Sequence, residues 1–257
     1  YWMIITSLKQ NTEIQSNTQT FFPNIVMWSN YVYVFKTFDF FTYMKNTIIV
    51  AIFSTAGTLI TTVFAAFAFS RLTFKGRDFL FMIFLMTMMI PGEMMVISNY
   101  ITVASFGWIG NNQTITQAYL AMIVPFLVSV FHIYLLRQNF KQIPNELYLA
   151  AKVDGTSDFK YLLKIMVPLS LPTLISITIL KMMGAWNSYV WPNLVASDKS
   201  HRLITNGLRN AFTSADGTTE VPTQMAAVAL VSLPLFLVFI FLRKYIMKGV
   251  SRSGIKG

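Results

Sequence analysis

Pro144-Asn145-Glu146-Leu147-Tyr148-Leu149-Ala150-Ala151-Lys152-Val153-Asp154-Gly155-Thr156-Ser157-Asp158-Phe159 is a polar interruption between long apolar stretches, and its reading decides how the chain is laid out. Pro144 suits the entry to a helix, where its missing N–H would go unpaired anyway. Gly155 suits the left-handed residue that ends one. A short helix is therefore expected from about Asn145 to Asp154. Thr156 or Ser157 then caps a second helix, whose body Asp158 to Met166 continues toward Pro168. The expected product is a helix, turn, helix elbow. On its first helix Leu147, Ala150, Ala151 and Asp154 recur at i, i+3, i+4 and i+7, a face with two small side chains that another protein's backbone can approach closely. An amphipathic loop helix lying on a bilayer surface has the same pattern. Periodicity leaves the two open.

Outward from the elbow, the composition sets the environment. Of the 257 residues 54% are hydrophobic and 12% charged, and the mean hydropathy is +0.55. A soluble globule carries about twice that share of charge, so the fold class is all-α, a polytopic membrane helix bundle. Tyr1 to Leu8 reads as the tail of a first, truncated span. Lys9 to Lys45 is polar and rich in aromatics. Apolar runs follow at about Thr47 to Phe69, Phe79 to Val103, Ala118 to Leu136, Tyr161 to Trp191 and Met225 to Ile246. Each approaches or exceeds the roughly 20 residues that cross the hydrocarbon core. Six transmembrane helices are expected within one domain, residues 1–257, with the elbow at about 144–160 and an external loop at about 192–223. No internal repeat or low-complexity tract stands out.

Lys and Arg orient the bundle. One set of loops holds 13 of them, from Arg71, Lys75 and Arg77 through Arg137, Lys141, Lys152, Lys160 and Lys164 to the C-terminal cluster; the other set holds 6. The richer set is expected on the cytoplasmic side, which places the elbow and the C-terminus there. This accounts for the net charge of +10 without nucleic acid, because the cations flank spans and meet anionic headgroups. Trp108, Trp186 and Trp191 fall near outer span ends, as interfacial anchors do. Asn187, Pro192 and Asn193 interrupt the fifth run there. The absence of cysteine excludes disulfides and thiolate metal sites.

Two formal charges lie inside the spans, Glu93 and Lys181. A charge at mid-bilayer costs on the order of 2.5–3.5 kcal/mol, so each is expected to face protein or a water-filled cavity. Glu93 follows Pro91-Gly92, a pair expected to break or kink the third span. Glu93 therefore either lines a translocation path or pairs structurally with Lys181 or a partner subunit. The methionines Met82, Met86, Met88, Met89, Met94 and Met95 suit helix packing or the lipid face better than a cavity lining. His132 and His201 are too far apart in sequence to suggest a metal pair, and His132 is read as packed. Asn46, Asn187 and Asn193 suit hydroxyl-rich ligands or plain solvation. No phosphate loop, H-E-x-x-H or G-x-S-x-G is present. A pump without a nucleotide site draws its energy from another chain.

The elbow's Ala150-Ala151-Lys152-Val153-Asp154-Gly155-Thr156-Ser157, with Ile165 to Pro168 beyond it, resembles the EAA loop of the membrane subunits of bacterial ATP-binding cassette importers. Leu149 stands where that family usually has its first Glu. Further likeness covers nearly the whole chain. Trp2 to Lys9 is similar to the end of a first span. Ala65 to Arg77, Trp186-Asn187-Ser188-Tyr189-Val190-Trp191-Pro192 and the ending Lys248 to Gly257 resemble stretches of carbohydrate importer permeases, in particular the maltose-type subunit that ends in Lys-Gly. The resemblance implies ATPase coupling through Glu146, Leu147, Ala150, Ala151, Asp154 and Gly155. It implies as partners a second permease subunit, two ATP-binding subunits, an extracytoplasmic solute-binding protein, the lipid bilayer and a sugar substrate. No cofactor is implied on this chain; ATP and Mg sit on the partner ATPase, and this chain is no enzyme. It also implies contacts of the tail Ser251 to Gly257 with the ATPase and of the loop Pro192 to Thr223 with the binding protein. The translocation path is expected at Glu93, Trp186, Asn187 and Tyr189, where Trp186 and Tyr189 suit stacking on sugar rings. The rival readings are the same machinery importing another solute such as glycerol phosphate, and a polytopic channel or scaffold.

Overall fold

Pro91, Pro125 and the pair Pro168 and Pro172 stand inside apolar runs, and beside each of these three places the chain bends. The computed structural model describes residues 1–16, 20–37, 39–211 and 220–253, and for residues 37, 210, 211 and 242–253 the backbone alone. Among them every regular element is helical. We number α1 Trp2–Ser7, α2 Asn11–Gln15, α3 Ser29–Thr37, α4 Phe40–Ser70, α5 Arg77–Thr87 and α6 Val96–Ser105. They continue as α7 Ile115–Ile123, α8 Val130–Gln142, α9 Asn145–Val153, α10 Asp158–Leu169, α11 Leu171–Trp186, α12 Val190–Val195, α13 Ile204–Ala211 and α14 Val221–Ser253.

Two helices are long and apolar enough to cross a membrane unbroken, Phe40–Ser70 and Val221–Phe241. Three further candidates are bent pairs: α5 with Gly92–Ser105 at 90°, Ile115–Phe126 with α8 at 51°, and α10 with α11 at 80°. Counting each pair once gives up to five candidate spans among the described residues. The break at Pro91-Gly92 is the expected one. The fourth and fifth runs, expected as continuous helices, are corrected to broken ones. Pro172 lacks the N–H that would bond the Pro168 carbonyl, so the ladder fails at Ser170. Pro125 likewise leaves the Ala121 carbonyl without its helical donor. The second span starts earlier than expected, at Phe40, and its 31 residues extend about 46 Å.

The residues form two compact units. The first comprises Tyr1–Val50, Phe106–Met122 and Trp186–Phe239. Its core joins Val34, Phe40, Tyr43, Ile204, Ala226, Ala227 and Val231. The second comprises Ala51–Ser105, Ile123–Ala185 and Ile240–Gly257. Its main core joins Ala66, Phe67, Leu136, Phe140, Ala151, Tyr161, Leu162, Met166, Leu174 and Ile177.

In the first unit Asn46, at 2% exposure, is a structural pin; neither ligand binding nor plain solvation describes it. Its Nδ2 donates to the carbonyls of Ser200 and Arg202 at 2.8 and 3.0 Å, and its Oδ1 accepts from Tyr119 Oη at 2.8 Å. Thr47 Oγ1 accepts the Ile204 N–H at 2.8 Å. These bonds tie the segment after α12 to the start of α4. The loop expected at about 192–223 is thus folded, with α12 at its start and α13 inside it; residues 212–219 lie outside the described ones. Of the C-terminal tail, Ser251–Ser253 continue α14 and residues 254–257 lie outside the described ones.

Candidate functional site

The elbow forms as its turn residues dictate. Gly155 takes φ +69°, a left-handed conformation that side chains resist. With it there, the Thr156 N–H reaches the Ala151 carbonyl at 2.8 Å and the Gly155 N–H the Lys152 carbonyl at 3.1 Å. This is the Schellman closure that satisfies the last carbonyls of a helix. Of the two candidate caps, Ser157 is the one used, its Oγ accepting the Lys160 N–H at 3.4 Å.

Side chains then fix α9 against α10. Asp158 Oδ1 accepts from Tyr148 Oη at 2.8 Å and from Lys152 Nζ at 2.7 Å. The Tyr148 ring lies 5.1 Å from that of Tyr161, centroid to centroid. Burial pushes the Tyr148 phenol up, and its bond to Asp158 adds to the shift. The bond to Asp158 likewise raises the Lys152 ammonium.

The face predicted from periodicity is corrected at one position. Ala151 is 7% exposed and packs into the core with Tyr161 and Leu162, so the small pair is split. Tyr148 and Ala151, three apart, form the inward face. The physical reason is that α9 anchors itself through this pair, and an alanine fits where Tyr161 comes close. Glu146, Leu147, Ala150 and Asp154 stay exposed, together with Leu149 at 55% and Val153 at 88%. A rigid helix therefore presents an uncovered surface of Glu146, Leu149, Ala150 and Val153. Leu149, which departs from the family pattern, adds apolar area there in place of a carboxylate.

Two arginines that sequence reasoning counted only as flanking charge hold the base of the elbow. Arg71 Nη2 donates to the Phe140 carbonyl at 2.9 Å and also to that of Ile143, near the end of α8. Arg137 Nε donates to the Phe69 carbonyl at 3.0 Å, near the end of α4, and its guanidinium lies 3.8 Å over the Phe81 ring. Each helix end is thus capped by an arginine from the other, where cations suit the dipole. Arg near the C-terminus of an apolar run is the only sequence signal for this.

The expected path residues are divided between the two units. Glu93 is exposed in the short helix Gly92–Met95 of the second unit. The alternative of a Glu93–Lys181 pair is corrected, because Lys181 Nζ donates to the Phe126 carbonyl at 2.9 Å. Trp186, Asn187 and Tyr189 belong to the first unit. Trp186 is 1% exposed, so neither an interfacial anchor nor a sugar-stacking face describes it in this conformation. The segment after it folds back over this turn: Thr205 Oγ1 donates to the Ser188 carbonyl and Asn206 Nδ2 to that of Tyr189, at 2.7 and 3.0 Å. Trp191 is also buried, its Nε1–H donating at 3.0 Å to the Ala121 carbonyl that Pro125 leaves free. Asn187 is exposed, and the Tyr189 ring lies 4.8 Å beneath the Arg209 guanidinium. His132 is packed, at 8% exposure. Among the described residues no group of His, Asp or Glu has the geometry to hold a metal.

Known proteins place this architecture. Residues 58–252 match the family described as binding-protein-dependent transport system inner membrane component. The trehalose/maltose transport system permease protein MalG of Thermococcus litoralis is 30% identical, the match covering 100% of this chain and 90% of that one. The arabinooligosaccharides transport system permease protein AraQ of Halalkalibacterium halodurans is 26% identical over 99% of this chain and 89% of its own. The sn-glycerol-3-phosphate transport system permease protein UgpE of Pectobacterium atrosepticum is 25% identical over 98% and 90%. A solved bacterial ABC transporter involved in import of the acidic polysaccharide alginate shares the fold, with a TM-score of 0.82 at 22% identity over 95% of this chain and 88% of that one. The match runs from α4 into α14 and takes in the whole elbow, so the chain belongs to the family of binding-protein-dependent transport system inner membrane components.

Proposed function

We propose that the chain is one of two permease subunits in an ATP-driven importer for sugars or oligosaccharides, with α9 as the helix that docks in the ATPase. The observation that carries this reading is the elbow: a helix locked by a Schellman turn, tied to the core through Tyr148 and Ala151, yet presenting Leu149, Ala150 and Val153 uncovered. Apolar side chains on a rigid, otherwise polar loop suit a partner's cleft. The excess of Lys and Arg puts the elbow and the C-terminus on the cytoplasmic side, where ATP is. ATP and Mg belong to the partner ATPase, and this chain binds no cofactor and catalyses no reaction. A solute-binding protein delivers substrate from the other side. Closure of the ATPase dimer pushes α9, and α10 passes the movement to spans broken at Ser170 and Pro91, which alternate between inward and outward access.

The sugar assignment rests on relatives named for arabinooligosaccharides and for trehalose and maltose. The relative named for glycerol phosphate supports a second reading with the same machinery and a different solute. Purification of the tagged chain in mild detergent, with mass spectrometry of bound proteins, tests the proposal beside Gly155→Pro. A second permease and an ATPase are expected with the wild type, and loss of the ATPase with the variant. A chain that comes out alone, or only with itself, gives way to the channel or scaffold reading.

A further inference from the structure

Lys181 is the eleventh of the sixteen residues of α11, inside a span and away from both ends. A charge there is costly, and a neutral residue would do unless the charge has a use. Its contact does not supply one. The ammonium has three donors, and one bond is formed, to the Phe126 carbonyl at 2.9 Å. That carbonyl lies at the break between Ile115–Phe126 and α8, where the backbone groups already have neutral donors. Thr58 Oγ1 donates to the Phe126 carbonyl at 3.2 Å, and Thr61 Oγ1 to the Leu127 carbonyl at 2.6 Å. Among the described residues no carboxylate lies within ion-pair distance of Lys181. The positive charge at this break is therefore uncompensated.

Space lies beside it. Gly184, one turn along the same face, is exposed, and a side chain placed there would meet nothing within 4 Å. Leu180 and Met183 are half exposed around it, at 50% and 45%. A cation with two unused donors, next to an open face inside a span, has the chemistry of an anion subsite.

We propose that Lys181 is a substrate-contacting residue that selects solutes carrying an anionic group, a uronate carboxylate or a phosphate ester, over neutral sugars. The Phe126 carbonyl holds the ammonium in place while the site is empty, and the anion takes the remaining donors as the solute passes. This deepens the importer reading and rests on it.

The test uses the assembly purified with its partner subunits, reconstituted in nanodiscs, with four labelled probes at equilibrium: tri-galacturonate, sn-glycerol 3-phosphate, maltotriose and glycerol. The wild type is expected to bind one of the anionic probes on the order of tenfold more tightly than its neutral counterpart, with the advantage falling as salt is raised. Which anionic probe binds separates uronate from phosphate. Lys181→Gln and Lys181→Met lose the advantage, and Lys181→Arg keeps most of it. An absence of preference in the wild type overturns the proposal, as does a preference unchanged in Lys181→Gln. Loss of the second permease from the Lys181→Gln assembly also overturns it, since Lys181 is then a subunit contact. Retention of the ATPase by the wild type is read separately. Without it the importer reading itself fails; with it, failure of the probes removes only the role of Lys181.

Discussion

Replacing Gly155 with alanine separates backbone strain at the elbow from strain elsewhere. Gly155 stands at φ +69° and Gly76 at φ +82°, and at both a Cβ would meet nothing within 4 Å. Alanine at either position therefore costs only the left-handed backbone penalty, about 1–2 kcal/mol. The two variants are expected to lose similar stability, seen as a downward shift of roughly 2–8 °C in thermal unfolding in nanodiscs. Their functional effects should diverge. At Gly155 the penalty is relieved by opening the Schellman turn, which frees the Ala151 and Lys152 carbonyls and lets α9 swing on its Tyr148 and Ala151 anchor. If the turn is opened in a fraction of molecules set by 1–2 kcal/mol, retention of the ATPase subunit weakens by about 5- to 30-fold. Gly76→Ala, in the turn before α5, leaves retention unchanged. Gly155→Asn, a side chain that tolerates the left-handed region, falls between. The assay is titration of purified ATPase subunit onto immobilised permease, alongside the melting curves. Equal retention by Gly155→Ala and Gly76→Ala, at equal loss of stability, would refute the claim that the turn conformation positions the docking helix.

Two further predictions concern the first unit. Trp191→Phe removes the buried donor to the Ala121 carbonyl, leaving a backbone acceptor without it at a cost of about 1–3 kcal/mol; an unchanged melting temperature would show that another group takes over. Glu13 is held below the usual carboxylate range, chiefly by the Thr20 hydroxyl and then by the Asn24 N–H and Lys9. Since its folded pKa lies below the unfolded value near 4.3, its contribution is complete above about pH 5 and is lost as pH falls through the folded pKa. The chain has no cysteine, so a spin label on Phe22→Cys, exposed at 71%, reports the loop cleanly. The label is expected to gain mobility on acidification below about pH 4, and to be mobile already at pH 7 in Glu13→Gln; pH-independent mobility in the wild type would remove Glu13 as the loop's tether.

The elbow was legible because its punctuation is local. Pro144, Gly155 and Ser157 act within one helical turn of themselves, and each does in the structure what its chemistry predicts. Ala151 was placed on the wrong side because a face read at i, i+3, i+4 and i+7 spans about 100°, and an edge position is decided by what packs against it. Here that is Tyr161, ten residues on. The Trp residues misled for a related reason. Trp186 and Trp191 stand near the end of an apolar run, as belt residues do, but both are buried, and the following segment folds back to bond the Ser188 and Tyr189 carbonyls between them. Arg71 and Arg137 each bond a carbonyl 68 or more positions away, and no spacing rule carries that far.

The broken spans give the polar residues of the bundle a common logic. A helix interrupted in a membrane must place its freed carbonyls on some donor, and at the break after Phe126 this chain supplies them from side chains on other segments. Ala121 has Trp191, Phe126 has Thr58, and Leu127 has Thr61. Such bonds hold a bend more loosely than a continuous ladder does, because a side-chain donor can exchange one carbonyl for another. Bends made this way suit a bundle that must change access from one side to the other. The donors needed there account for Thr58 and Thr61 of α4, which a hydropathy reading passes over. Once those are assigned, Glu93 and Lys181 remain as charges within spans that no break requires. Of the two, Lys181 keeps two donors beyond its bond to the Phe126 carbonyl and stands beside the open face at Gly184, which makes it the charge that a passing anion can use.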